Sequence, residues 1–174
     1  MSRNQTPAPD AGAERPARAR RLDDLDRRIL AQMQEDASVS SAELARRVDL
    51  SPAGLQKRVK KLQEAGVILR QVALLNREAI DLDLLCFVHV TLAHHQPDAV
   101  RGFRAAIQRM PEVLECHHIS GEYDYLLKVV AEDIRCYEDF LLGKLATVPN
   151  VGKVHTSFVL STVKYKTKIP VKGP

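Results

Sequence analysis

"SPAGLQKRVKKLQEAGVI", residues 51–68, decides how the N-terminal part of this chain is read. A serine hydroxyl can accept a free N–H at a helix start, and with Ser51 in that place Pro52 falls at the first helical position, where a missing N–H does no harm. Leu55, Val59 and Leu62 then recur at helical spacing, and Gly66 stands where the chain leaves the helix. Leu50 and Leu55 occupy the two positions of a hydrophobic staple. At about 100° per residue, Ala53, Gln56, Lys57, Lys60 and Lys61 point away from this apolar stripe, with Arg58 on its flank.

Working outward, "VSSAEL" (39–44) repeats the same signals. Ser40 can cap, Glu43 is its capping-box partner three residues on, and Val39 and Leu44 are the staple. Leu25, Ile29, Leu30 and Met33 make an earlier helical stripe after Asp23 and Asp24, which can cap its start. Only "VDLS" separates the second and third helices. Two capped helices joined so tightly, with a third to close the core, form a helix-turn-helix signature over residues 22–68.

Charge sharpens that reading. The chain has a net charge of +4 and a pI of about 9.0, and residues 38–70 carry seven Lys/Arg against three Asp/Glu. A basic face on one amphipathic helix is ordinarily just solvated. Here it coincides with the short turn and the double staple, which favours a double-stranded DNA partner. Ser51, Ala53 and Gly54 at the helix start let the backbone approach a groove; Gln56, Lys57 and Arg58 are candidates for base edges, and Lys60, Lys61 and Arg47 for phosphates.

Residues 1–21 contain no Leu, Ile, Val, Phe or Tyr, so a flexible basic tail is expected there. Residues 67–76 read as a strand leading out of the helical domain, and residues 69–83 as the linker. Beyond it the chain repeats itself with a shift of 38: "MPEV" (110–113) falls on "VPNV" (148–151), and "CFVHVTLA" (86–93) on "DYLLKVVA" (124–131). This predicts two successive βαβ units over residues 84–174: strand 84–93, helix 98–110, strands 113–119 and 124–131, helix 133–146, strand 151–164. The class is α+β, with a ferredoxin-like βαββαβ sheet following the helix-turn-helix. Two helices cover one face of such a sheet; the alternate apolar residues of the other face call for a second copy, hence a homodimer.

Other chemistries find little support. Cys86, Cys116 and Cys136 are too widely spaced for the usual zinc pairs and read as reduced core or near-core residues. The His pairs at 94–95 and 117–118 sit on adjacent strand positions that face opposite ways, so no metal site is assigned. No Ser-His-Asp arrangement, phosphate loop or catalytic carboxylate pair is present, which argues against an enzyme and for no cofactor. The longest apolar run, Leu84 to Val88, is far short of a membrane span, and a cytoplasmic protein with no membrane partner is expected.

In "SGEYD" (120–124), Gly121 can take a positive φ, Glu122 and Asp124 offer an anion for an ammonium, and N–H groups around Gly121 offer donors for a carboxylate. Equally, Gly and Asp serve a plain hairpin turn.

"LDDLDRRIL" (22–30), "SPAGLQKRVKKLQEAGVI" (51–68), "SGEYDYLLKV" (120–129) and "SFVLSTVK" (157–164) together resemble the Lrp/AsnC family of transcriptional regulators, in that family's order and spacing. The resemblance implies regulators of amino-acid metabolism genes that respond to a bound amino acid, and homodimers that assemble further, commonly to octamers. It also implies an effector pocket around Ser120, Gly121, Glu122, Tyr123 and Asp124, with Thr156 of the last strand. Val154 departs from the Thr that is common there. Two other readings remain: an architectural protein that wraps DNA with little ligand response, and a regulatory subunit of an amino-acid biosynthetic enzyme.

Overall fold

A computed structural model describes residues 22–171; the expected tail, residues 1–21, lies outside them. The described residues fall into two compact units, 22–73 with 165–171, and 74–164.

In the first unit, α1 (Asp24–Glu35), α2 (Ser41–Arg47) and α3 (Pro52–Glu64) follow one another. Their starts obey capping rules. The Asp23 carboxylate accepts from the Asp26 N–H at 2.7 Å while the Asp26 carboxylate returns to the Asp23 N–H. Ser40 and Ser51 each accept from the N–H three residues on, that of Glu43 at 3.2 Å and that of Gly54 at 3.1 Å. The expected reciprocal half of the Ser40 box is not made. Glu43 turns its carboxylate to Arg46 and Arg47 instead, because two guanidinium groups one turn along attract it more strongly than a neutral N–H. Asp49, in the turn between α2 and α3, has φ 58° and is held there by Arg28 at 2.8 Å.

At its far end α3 stops as Gly66 predicts. Gly66 has φ 68°, its N–H donates to the Gln63 carbonyl, and the Val67 N–H reaches back to that of Leu62, both at 2.9 Å, a Schellman closure. Ile29, Leu30, Leu44, Ala45, Val48, Leu55 and Leu62 form the buried centre of the unit.

The second unit consists of β1 (Leu84–Leu92), α4 (Pro97–Ile107), β2 (Val113–His118), β3 (Tyr125–Ala131), α5 (Ile134–Gly143) and β4 (Val151–Phe158), with short 3-10 turns at Glu78–Ile80 and Leu145–Thr147. The strands lie in the order β2-β3-β1-β4, all antiparallel. Cys86, Val88, Val90 and Leu92 of β1 point inward to meet Leu127 and Val129 of β3, Phe103 and Ile107 of α4, and Tyr137 and Phe140 of α5. At the β1–β4 edge the register shifts between Thr91 and Leu92. A Cβ on Gly152 there would lie 2.9 Å from the Thr91 carbonyl oxygen, so only glycine fits this crossing.

Three expectations are corrected. Residues 67–76 enter no ladder; Leu69, Val72, Leu74 and Leu75 are all exposed, since β pattern alone makes a strand only where a neighbour supplies hydrogen bonds. The last strand ends at Phe158 rather than 164: the Val159 N–H makes a final bond to the Leu85 carbonyl at 2.9 Å, where β1 itself begins. Of the cysteines, Cys86 is buried and Cys116 half-buried, and burial pushes both thiols up to about 11. Cys136, by contrast, is exposed on the first turn of α5, where its N–H is capped by Asp133 at 2.8 Å.

Candidate nucleic-acid and effector sites

The exposed face of α3 is the one its sequence pattern marks out. Ala53, Gln56, Lys57, Lys60 and Lys61 all face solvent, opposite Leu55 and Leu62. Lys60 stands 3.9 Å from Glu64, a distance that leaves its ammonium largely solvated. Ser51 is occupied as the cap, and Gly54 is half-buried against it: an added Cβ would lie 3.1 Å from the Ser51 hydroxyl. Gly54 therefore keeps the helix start intact as well as thin.

Two of the expected DNA-contacting cations are already engaged. Arg58 reaches across to α1, where its Nη1 lies 2.7 Å from Asp23 and 2.8 Å from Asp26. That pairing holds the Asp23 carboxyl below its ordinary value and raises the guanidinium. Arg58 thus walls a cleft of about 320 Å³ between α1 and α3 and clasps the two helices together. Arg47 gives its Nε to Glu43 at 2.9 Å, and this guanidinium and that of Arg46 keep the Glu43 carboxyl low. Sequence spacing places Arg58 on the flank of the stripe; its acidic partners, 32 and 35 residues earlier, become neighbours only when α1 packs on α3.

In the second unit the turn 120–124 links β2 to β3. Gly121 has φ 117°, so glycine is required there. Asp124 acts first as a splice. Its N–H donates to the Val90 carbonyl, its carbonyl accepts from the Ile119 N–H, both at 3.0 Å, and its Oδ2 accepts from the Leu92 N–H at 2.7 Å. Oδ1 is met by His95 Nε2 at 2.9 Å, a ring two-thirds exposed. These bonds, the Leu92 N–H foremost, hold the Asp124 carboxyl below its usual range. Ser120, Gly121 and Glu122 are all exposed, so Glu122 is the solvent-facing anion of the turn.

The other expected effector residues diverge. Tyr123 lies against His89, ring centroids 4.7 Å apart, and near His155 at 6.2 Å, on the sheet face away from the helices. Thr156 pairs with Val88 on the inward face, and its hydroxyl is hydrogen-bonded to Tyr137 of α5. Within one chain, Thr156 and Tyr123 thus serve opposite sides of the sheet. The His pairs separate likewise: His95 joins Asp124, while His117 meets Glu115 at 3.1 Å. Among the described residues no group of three or more His, Cys, Asp or Glu is placed to hold a metal ion.

A capped helix-turn-helix with a bare basic face, followed by a ferredoxin-like domain with an exposed glycine turn, defines a DNA-binding protein with a small-molecule domain attached. Comparison with known proteins makes this definite. Residues 22–68 match the family model described as winged helix-turn-helix DNA-binding, and residues 85–169 match the Lrp/AsnC ligand binding domain. The leucine-responsive regulatory protein of Salmonella typhimurium is 40% identical over 151 residues, 87% of this chain and 92% of its own. That of Serratia marcescens is 38% identical over 161 residues, 92% and 97%. Among solved structures, a transcriptional regulator from Neisseria meningitidis in complex with L-Met superposes with a TM-score of 0.81 at 36% identity, covering 86% of this chain and 96% of that one. An AsnC family transcriptional regulator from Agrobacterium tumefaciens gives 0.80 at 36%, covering 86% and 97%. The chain belongs to the Lrp/AsnC family of transcriptional regulators, and is a DNA-binding regulator rather than an enzyme. No helix among the described residues is long and apolar enough to cross a membrane.

Proposed function

We propose that this regulator reads DNA through Gln56, Lys57, Lys60 and Lys61 of α3, with Ala53 and Gly54 allowing close approach, and that a free amino acid bound at the turn 120–124 modulates it. The observation that carries the DNA reading is the solvent-facing row of α3 lysines, in which Lys60 comes no closer than 3.9 Å to Glu64, while Arg47 and Arg58 are engaged by Glu43, Asp23 and Asp26. Support for the amino acid comes from the turn itself: the exposed Glu122 beside Gly121, and an Asp124 oxygen met by the largely exposed ring of His95. The related regulator from Neisseria meningitidis was solved with L-Met.

The active species in this reading is a homodimer, built further into larger rings, that controls genes of amino-acid metabolism from the cytoplasm. Its interface is the sheet face away from α4 and α5. That face carries Leu85, Phe87 and His89 of β1 beside Leu126 and Val130 of β3, and Phe87 remains 36% exposed in the single chain. A second copy of the same face would cover these residues, and the two α3 helices of a dimer would read half-sites one DNA turn or a multiple apart, about 34–36 Å per turn.

The test is genome-wide binding with and without each common amino acid, followed by calorimetry with the amino acid that alters it. Redistribution of bound sites together with a measurable heat is the expected result. An extended, phased footprint indifferent to every amino acid would replace the sensor with an architectural protein.

A further inference from the structure

The last described residues do not stay with the sheet that precedes them. Residues 165–171 belong with the three helices of the first unit. Gln34, near the end of α1, meets Ile169 as a neighbouring strand would: its Nε2 donates to the Ile169 carbonyl at 3.1 Å and its Oε1 accepts from the Ile169 N–H at 2.7 Å. Lys168 forms an ion pair with Glu35, the next residue of α1, and Val171 packs against the core of the helical unit. Pro170 biases Ile169 toward the extended backbone that presents both of its polar groups to one amide.

The DNA-binding unit is therefore joined to the second unit by two covalent connections, the linker after Ala73 and the segment after Phe158. The second leads, through residues 159–164, from β4, whose His155 ring lies 6.2 Å from that of Tyr123 in the turn. Its attachment includes two neutral hydrogen bonds, one exposed ion pair and one half-buried valine. Each such contact is individually weak and is opposed by the entropy of ordering the segment, so a modest competing free energy can release it.

We propose that residues 165–171 are a releasable strap that carries the state of the amino-acid domain to the DNA-binding unit: docked on Gln34 and Glu35 of α1, it restrains that unit, and displacement of β4 frees it. This rests on the amino-acid reading above. A ligand that favours one position of β4 thereby favours one state of the strap, which is the differential affinity that any such coupling requires.

The test uses the full-length protein with Gln34→Ala, which removes both hydrogen bonds while leaving a good helix former, and a second variant ending at Lys164. Both are expected to keep wild-type circular dichroism and still to bind the amino acid selected by calorimetry, with a Kd shifted only by as much as strap release is linked to binding. Operator affinity, however, should respond to that amino acid by less than about a third of the wild-type fold-change. Methyl relaxation at Ile29 and Leu30 should show faster independent motion of the DNA-binding unit. Retention of the full response, or of wild-type motion, in both variants overturns the strap. Wild-type protein that takes up no amino acid overturns the sensor reading instead, and the strap then stands or falls on the relaxation measurement.

Discussion

Arg58 and Lys57 are adjacent in the chain and have opposite surroundings. Lys57 faces solvent; Arg58, with its side chain one-third exposed, is clasped by Asp23 and Asp26. Arg58→Ala is expected to lower stability by about 1 kcal/mol or less, as solvent screens the clasp, with a lower melting temperature as the measurement. The same pairing sets a pH dependence. Because the Asp23 carboxyl is depressed below 3.8 in the folded protein, its contribution is fully present above that value and is lost as pH falls through the lower, folded one. Melting curves between about pH 5 and pH 2 should therefore converge for wild type and Arg58→Ala at the acid end. Gly121, at φ 117°, supplies a second test: Gly121→Ala is expected to cost about 1–3 kcal/mol, seen in denaturant unfolding, since a side chain resists that conformation. Its requirement is legible in the sequence as a glycine in a turn. The fate of Arg58 is not, because a flank position at helical spacing specifies direction but names no partner.

At the scale of the element, α3 is almost wholly legible. Ser51, Pro52 and Gly66 mark its ends through local capping geometry, and Leu55 and Leu62 its buried side through periodicity. What remains outward is a row of lysines, for which we propose an electrostatic role. Replacing Lys57, Lys60 and Lys61 together by Ala should leave the melting temperature within about a degree, given that exposed charges contribute little to stability. Operator binding should weaken, and the plot of log affinity against log salt should become shallower by roughly 0.9 for each phosphate that the variant no longer neutralises. Equal affinity and slope in the variant would exclude α3 as the DNA-reading helix. The linker departs from its sequence pattern for the complementary reason. Leu69, Val72, Leu74 and Leu75 have β character, but a strand is a property of two segments, and one chain supplies no partner for them.

For the whole molecule, the repeat of 38 residues implies the order β2-β3-β1-β4 and its two covering helices. It also implies an open face. Phe87→Lys, at the centre of that face and opposite Lys128, is expected to convert the proposed dimer to monomers by light scattering without loss of circular dichroism, since a second ammonium beside that of Lys128 is costly to bury. Dimers that persist in this variant would move the interface elsewhere.

Sequence by itself determined the elements and their class: capping, staple and periodicity act within a few residues, so helix ends, the buried stripe and the internal repeat can be read locally. Only the tertiary structure decided which charges were already paired and where the last described residues came to rest. Arg58 meets residues 32 and 35 positions away, and Ile169 meets Gln34 across 135. Such pairings depend on packing the helices first, and no local rule of spacing encodes them.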